Sequence, residues 1–344
     1  MKITGIAKIY CLQIDPATEK IEFDGFSFSS DPMEADKFIC EQDDPSMLIE
    51  IGRMGLSSIG YAESRALWYD FVPVIEGWET RQILSILATT QNNHLAAVLH
   101  SLWFAKDNSV FCKDIYVRAT DFADVAMNTR APMISNSSGQ YEKETYNLDE
   151  LSHSFKIYSI IKPYFLIDSD APTPPEPSTP VISPFNYVPY DEKQNIIVKA
   201  LLFLYRAREA SFLPHKISFY IVVLESLFST THYHIKKNLP KTVASYLNGT
   251  IAEFDQVTND VINGYDIRTE YLHGSFLTGD RSDLIKLRQI SNSLDEILRK
   301  CLNKALLNDL ENFLLDNDER KAWLNGIVTF RKAVGTSNQS HPQK

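Results

Sequence analysis

The chain has only four cysteines, Cys11, Cys40, Cys112 and Cys301, and no two of them form a CxxC pair. A zinc ribbon or a thioredoxin-type redox site needs such pairs, so both are set aside and the four are read as reduced structural thiols. Long apolar runs are also missing. No stretch approaches the roughly 18 residues of a membrane span. With 44% hydrophobic and 23% charged residues, the composition is that of a globular protein with no membrane helix. Met1 to Ile6 lead into an alternating pattern without the apolar core or small-residue cleavage site of a secretory leader, so the expected location is the cytoplasm. Walker A, GxGxxG, GxSxG and HExxH patterns are lacking as well, and no cofactor is implied. The pair His232 and His234 has no third ligand beside it, so no metal is expected.

Acidic residues dominate, but unevenly. Residues 1 to 190 hold 14 basic and 26 acidic side chains, whereas residues 191 to 344 hold 20 and 18. A surplus of negative charge opposes nonspecific contact with nucleic acid, so phosphate is welcome only in the second half, and only at a local site.

Seven of the 16 prolines fall between Asp168 and Tyr190. That density excludes helix and central strand and marks residues 168–190 as an extended linker. Before it, Ile3 to Ile14, Lys20 to Phe28, Ser46 to Ile51 and Ser109 to Val117 are short, rich in β-branched and aromatic residues and bounded by turn formers, which predicts strands. Thr80 to Ala105 carries apolar residues at helical spacing, with Leu84, Leu87, Leu95, Val98, Leu99 and Leu102 as its buried stripe. Residues 1–167 are therefore expected to form a mixed α/β domain. After the linker the period becomes helical: Gln194 to Ala210, Lys216 to Thr230, Leu239 to Leu247, Ile251 to Leu272, Asp283 to Leu307 and Asp309 to Phe330. Pro214 is expected in the turn between the first two. Residues 191–335 read as an all-α bundle, so the whole is α+β, and the polar stretch 336–344 reads as a disordered tail.

The chemistry-bearing constellation is Gly264 to Gly274, GYDIRTEYLHG. It sets Arg268, Glu270 and His273 on one helical stretch closed by a glycine. A helix C-terminus favours imidazolium, and Arg268 offers a planar cation to a phosphate. When RNA is cut by its own 2'-hydroxyl, a histidine can move the proton and an arginine can neutralise charge on the phosphorane without a metal. Arg208 and His215 repeat the residue pair with six residues between, but Pro214 interrupts them and they lack the tyrosine and glycine context. The bland alternative is that Arg268 and His273 only cap helices and pair with acids such as Asp266 or Glu270. Glu225, inside an apolar helix, needs a partner and could hold Arg268. His94 and His100 are read as packing or surface residues without a role.

Tyr265 to Gly274 resembles the Y-x-x-R-x4-H-G signature of HEPN domains of the ApeA-like group. Ile217 to Phe228 (ISFYIVVLESLF) is similar to that group's second helix, and Ile235 to Leu247 to its next short helix, with Lys241 where an arginine is usual. Thr269 stands where many active members have Asn, Asp or His. The resemblance covers roughly residues 195 to 335. It implies a homodimer, a composite site and metal-independent endoribonuclease activity on RNA. With that resemblance His273 is the expected general acid/base, Arg268 the phosphate clamp, Glu270 an orienting group, and Lys241 and Thr269 substrate contacts; Glu225 either holds Arg268 in the bundle or orients a catalytic group, and Tyr265 is a substrate or helix-packing contact. It further implies an anti-phage or abortive-infection effector whose first domain receives a phage-derived trigger. The alternative is a silent HEPN bundle serving as a dimerisation or RNA-binding scaffold.

Overall fold

The computed structural model describes residues 1–15, 21–31, 55, 59, 62–73, 77–119, 124–129, 133–165, 195–231 and 233–337. The chain separates into two compact units, Met1–Ile134 with Tyr141–Pro189, and Ser135–Gln140 with Tyr190–Lys344. As composition and periodicity suggest, the architecture is α+β with a helical C-terminal region. Among the described residues no helix is long and apolar enough to cross a membrane.

The first unit is built on an antiparallel sheet. Its strands are β1 (Lys2–Tyr10), β3 (Ile21–Phe23), β4 (Phe26–Ser29), β5 (Ser64–Phe71), β6 (Phe111–Ala119) and β7 (Val125–Thr129), in the order β3-β4-β5-β1-β6-β7. In the centre Ile6 lies opposite Leu67 on β5 and Tyr116 on β6. Two short strands, β2 (Leu12–Ile14) and β8 (Glu144–Tyr146), pair in parallel. Among the described residues, helix α1 (Thr80–Ser101), continued by a 3-10 turn at Leu102–Phe104, and helix α2 (Leu148–Phe165) also belong to the unit. Leu84, Leu95, Val98, Leu99 and Leu102 are buried as the stripe requires, and they join Ile3, Ala7, Ile115 and Val117 of the sheet in one core. Leu87 is only partly buried.

Two expected strands are each divided. Ile3 to Ile14 breaks at Cys11, whose φ of 60° ends the extended run and frees Leu12–Ile14 to pair with β8. Lys20 to Phe28 breaks at Asp24-Gly25, both at positive φ, the two-residue turn whose twist matches a hairpin. Ser46 to Ile51 lies outside the described residues.

That hairpin turn is tied down by charge. Asp24 Oδ2 stands 2.5 Å from His94 Nε2 of α1, and Oδ1 2.7 Å from Lys162 Nζ of α2. Burial opposes ionisation of Asp24, but the hydrogen bonds from Lys162 and His94 prevail and hold its carboxyl below the ordinary carboxylate range. A depressed carboxylate pKa gives stability that is present above the unfolded value, about 3.9, and lost as pH falls through the folded one. Asp24→Asn is therefore expected to lower the stability of this unit at neutral pH by about 1–2 kcal/mol. The loss should shrink towards zero at strongly acid pH. Melting curves of wild type and variant across that range check it.

The second unit contains α3 (Ile196–Glu209), α4 (Leu213–Phe228), α5 (Ile235–Leu247), α6 (Ile251–Leu272), α7 (Leu284–Leu307), α8 (Leu310–Leu314) and α9 (Asn317–Ser337), with a 3-10 turn at Gly279–Ser282. Helix α4 is apolar nearly all round and accordingly central: Ile217, Tyr220, Ile221, Leu224, Leu227 and Phe228 are all fully buried. Pro214 sits within the first turn of α4 rather than in the turn before it, where its missing N–H costs no helical bond. The single helix expected over Asp309 to Phe330 is two. The break falls at Leu315-Asp316, where the Asp316 carboxylate accepts from the backbone N–H groups of Asp318 and Glu319 and starts α9 anew. Helix α9 runs to Ser337, two residues into the stretch read as tail.

Ser135–Gln140 belongs with these helices, although it precedes the proline-rich stretch. The Ser135 backbone N–H donates to the Arg208 carbonyl at 2.9 Å, and Ser291 Oγ donates to the Ser137 carbonyl. The Lys216 ammonium is fully buried and donates to the carbonyls of Ser135 and Ala207 at 3.2 and 2.9 Å, which compensates its burial.

Candidate functional site

Helix α6 carries the motif. It starts at a capping box, in which the Thr250 and Glu253 side chains each receive the other's backbone N–H, and it ends at Gly274 with φ of 74°. Val261, Gly264 and Ile267 form its buried seam. At Gly264 the absence of a side chain matters, because a Cβ there would lie 2.6 Å from Leu294 Cδ1 and 3.0 Å from Ile221 Cδ1. The close approach sets Arg268, one turn further on, against α4.

Arg268 Nη2 lies 3.1 Å from Glu225 Oε2, with both side chains less than a quarter exposed. Burial pushes the Glu225 carboxyl up from its ordinary range, and the Arg268 guanidinium pulls it back. The guanidinium carbon also lies 5.6 Å from the centre of the Tyr265 ring. Arg268 Nε is buried and has no hydrogen-bond acceptor among the described residues. The Thr269 hydroxyl donates to the Tyr265 carbonyl at 2.8 Å, so its proton is engaged within the helix.

The acids on the other side of α6 find different partners from those expected. Asp266 pairs with Lys236 at 2.5 Å and lies 3.6 Å from Arg281, while Glu270 pairs with Arg281. Among the described residues neither acid pairs with Arg268 or His273; the acid beside Arg268 is Glu225. His273 occupies the C-cap, where its backbone N–H donates to the Thr269 carbonyl. Its side chain is exposed and makes no hydrogen bond or ion pair among the described residues. Lys241 is exposed on α5, and no described contact joins it to Arg268.

The structure thus unites Glu225, Arg268 and Tyr265, places Glu270 with Arg281, and leaves His273 and Lys241 apart. Arg281 and Lys236 were not named from sequence. The available signal was the acid pair Asp266 and Glu270, one turn apart on a helix and in need of cations. Arg208 and His215 stand on different helices, the first 1% exposed and the second on the surface. His232 lies outside the described residues; His234 adopts a left-handed conformation at the N-cap of α5. Cys112 and Cys301 are buried, Cys11 is partly buried, none of the three is in a disulfide among the described residues, and Cys40 is outside the described residues.

No known protein family, no curated protein and no solved structure matches the chain.

Proposed function

We propose that this chain is a metal-independent endoribonuclease of the HEPN type, active as a homodimer. The observation that carries the reading is the condition of the motif on α6. Arg268 is braced by Glu225 yet retains a buried, unused Nε–H, and five residues further on His273 presents an unengaged imidazole. A held arginine with a spare donor suits a phosphate oxygen, and an exposed imidazole suits proton transfer. The RNA 2'-hydroxyl loses its proton and attacks the adjacent phosphorus. The bond from phosphorus to the 5'-oxygen breaks as that oxygen gains a proton. A 2',3'-cyclic phosphate and a 5'-hydroxyl remain. Arg268 stabilises the charge on the phosphorane.

Two proton transfers are served by two histidines, and a second subunit supplies the other His273. Residues five apart on a helix point about 140° from one another, so pairing two subunits also brings one chain's Arg268 towards the other's His273. The more than half-exposed side chains of Leu272, Phe276, Leu284 and Ile285 give such a dimer apolar surface close in sequence to the motif. Glu225 and Glu270 orient, and Tyr265, Thr269 and Lys241 contact substrate. The first unit receives a phage-derived trigger, and the chain acts as an abortive-infection effector in the cytoplasm.

One specific feature favours a silent scaffold instead: Arg268 and Glu270 are each already matched by an opposite charge. The deciding assay incubates the purified chain with total RNA in EDTA, beside an Arg268→Ala/His273→Ala variant of matched folding. Cyclic-phosphate ends made by the wild type alone are expected. Equal cleavage by both proteins sinks the proposal, and RNA binding without cleavage favours the scaffold.

A further inference from the structure

We infer that Arg281 is the positioning residue for His273, holding the last turn of α6 through Glu270 and Asp266. The inference rests on the ribonuclease reading and adds a residue to it. On a helix that turns by about 100° per residue, positions 266, 270 and 273 fall within about 60° of one another, whereas position 268 points away. Arg281 comes back to that same face from the 3-10 turn Gly279–Ser282, pairing with Glu270 and lying 3.6 Å from Asp266.

Besides the Arg268–Glu225 pair, this part of the helix is held by the partly buried Tyr271, whose ring lies 5.9 Å from that of Phe212 and 6.1 Å from that of His215. Ile267 is the last buried residue of α6, and Leu272, His273 and Gly274 are all exposed. Helix ends with little buried apolar surface open locally. Against that tendency stand the Ser275 N–H donated to the Glu270 carbonyl at 3.0 Å and the Arg281 pairs. Glu270 depends on Arg281: its second carboxylate oxygen is buried with no hydrogen-bond partner among the described residues, so loss of the guanidinium leaves a partly buried charge unmatched. Lys236 supports Asp266 from α5 and does not reach Glu270 in any described contact.

The inference is tested with Arg281→Ala and Arg281→Lys by amide hydrogen exchange and steady-state RNA cleavage. Arg281→Ala is expected to speed exchange in the peptide spanning residues 268–276 about tenfold, while peptides of α4 and α7 exchange as in the wild type. It is also expected to lower kcat about 10–100-fold with KM nearly unchanged, as misplacement of a proton-transfer group does. Arg281→Lys should recover part of kcat. Unchanged exchange overturns the inference, because Arg281 then does not hold the turn. So does faster exchange with normal kcat, or a raised KM at normal kcat, which would make Arg281 a substrate contact. If the wild type cuts no RNA, the ribonuclease reading fails and this role falls with it, whereas active wild type with an unaffected variant sinks this role alone.

Discussion

His273→Ala is expected to reduce RNA cleavage about 10²–10⁴-fold, the usual worth of a positioned acid or base. The reduction should appear in kcat, with KM held within a small factor. Because the His273 side chain is exposed and unengaged, and its capping bond is made by the backbone, this variant should keep the wild-type fold. Arg268→Ala is expected to cost about 10²–10³-fold, the typical loss of one donor to a developing oxyanion. It disturbs more than chemistry. Removing the guanidinium takes away the influence that lowers the Glu225 pKa and leaves burial, which raises it, so Glu225 should become easier to protonate. Circular dichroism and the dimer mass therefore accompany the rates. The double variant should be little worse than the poorer single one, since residues acting in one step do not add. Wild-type kcat in His273→Ala would remove that residue from the mechanism.

Sequence carried the helical half of the fold further than the sheet. The 3.6-residue period over Ile251 to Leu272 survives because both ends are signalled locally, by the Thr250–Glu253 box and by Gly274. In the first unit, β5 has five consecutive buried residues from Ser64 to Trp68, so it shows no polar alternation to recognise. The Asp24-Gly25 turn lies inside a segment whose composition reads as one strand, and the anchors of the hairpin it makes, His94 and Lys162, lie 70 and 138 residues away, beyond any local pattern. The same distance effect divides the candidate site. Spacing alone does not single out Arg268 and His273, since Arg208 and His215 repeat the residue pair; the resemblance of Tyr265 to Gly274 to the HEPN signature is what named them. Glu225 could be suspected because a charge in an apolar helix needs a partner. Arg281 reaches Glu270 only because a loop folds back, and loop geometry is not written in a period. Ser135–Gln140 reads as part of the first domain for the same reason, since its partners Arg208, Ser291 and Asn292 are distant in the chain.

Gly264→Leu is expected to cost about 3 kcal/mol of stability in the helical unit, at the upper end of what overpacking a core does. Two effects compete at this position. Replacing an interior helical glycine gains up to about 1 kcal/mol of helix propensity. Against it, even the first carbon of a side chain would stand 2.6 Å from Leu294 Cδ1 and 3.0 Å from Ile221 Cδ1, and both of those residues are fully buried with little freedom to yield. For Gly264→Ala the gain and the strain nearly balance, and a change within about 1 kcal/mol is expected. Leucine adds three further carbons to the same gap, so strain wins. The seam of α6 has Val261 and Ile267 on either side of this glycine, and relief of the clash must push the helix off α4. Arg268, one turn beyond, would then move out of reach of Glu225. Gly264→Leu should accordingly lose cleavage along with stability, and Gly264→Ala should keep most of both. Thermal unfolding measured beside initial cleavage rates for the two variants provides the check. A leucine variant as stable as the wild type would mean that α6 and α4 do not approach as closely as the Arg268–Glu225 contact requires.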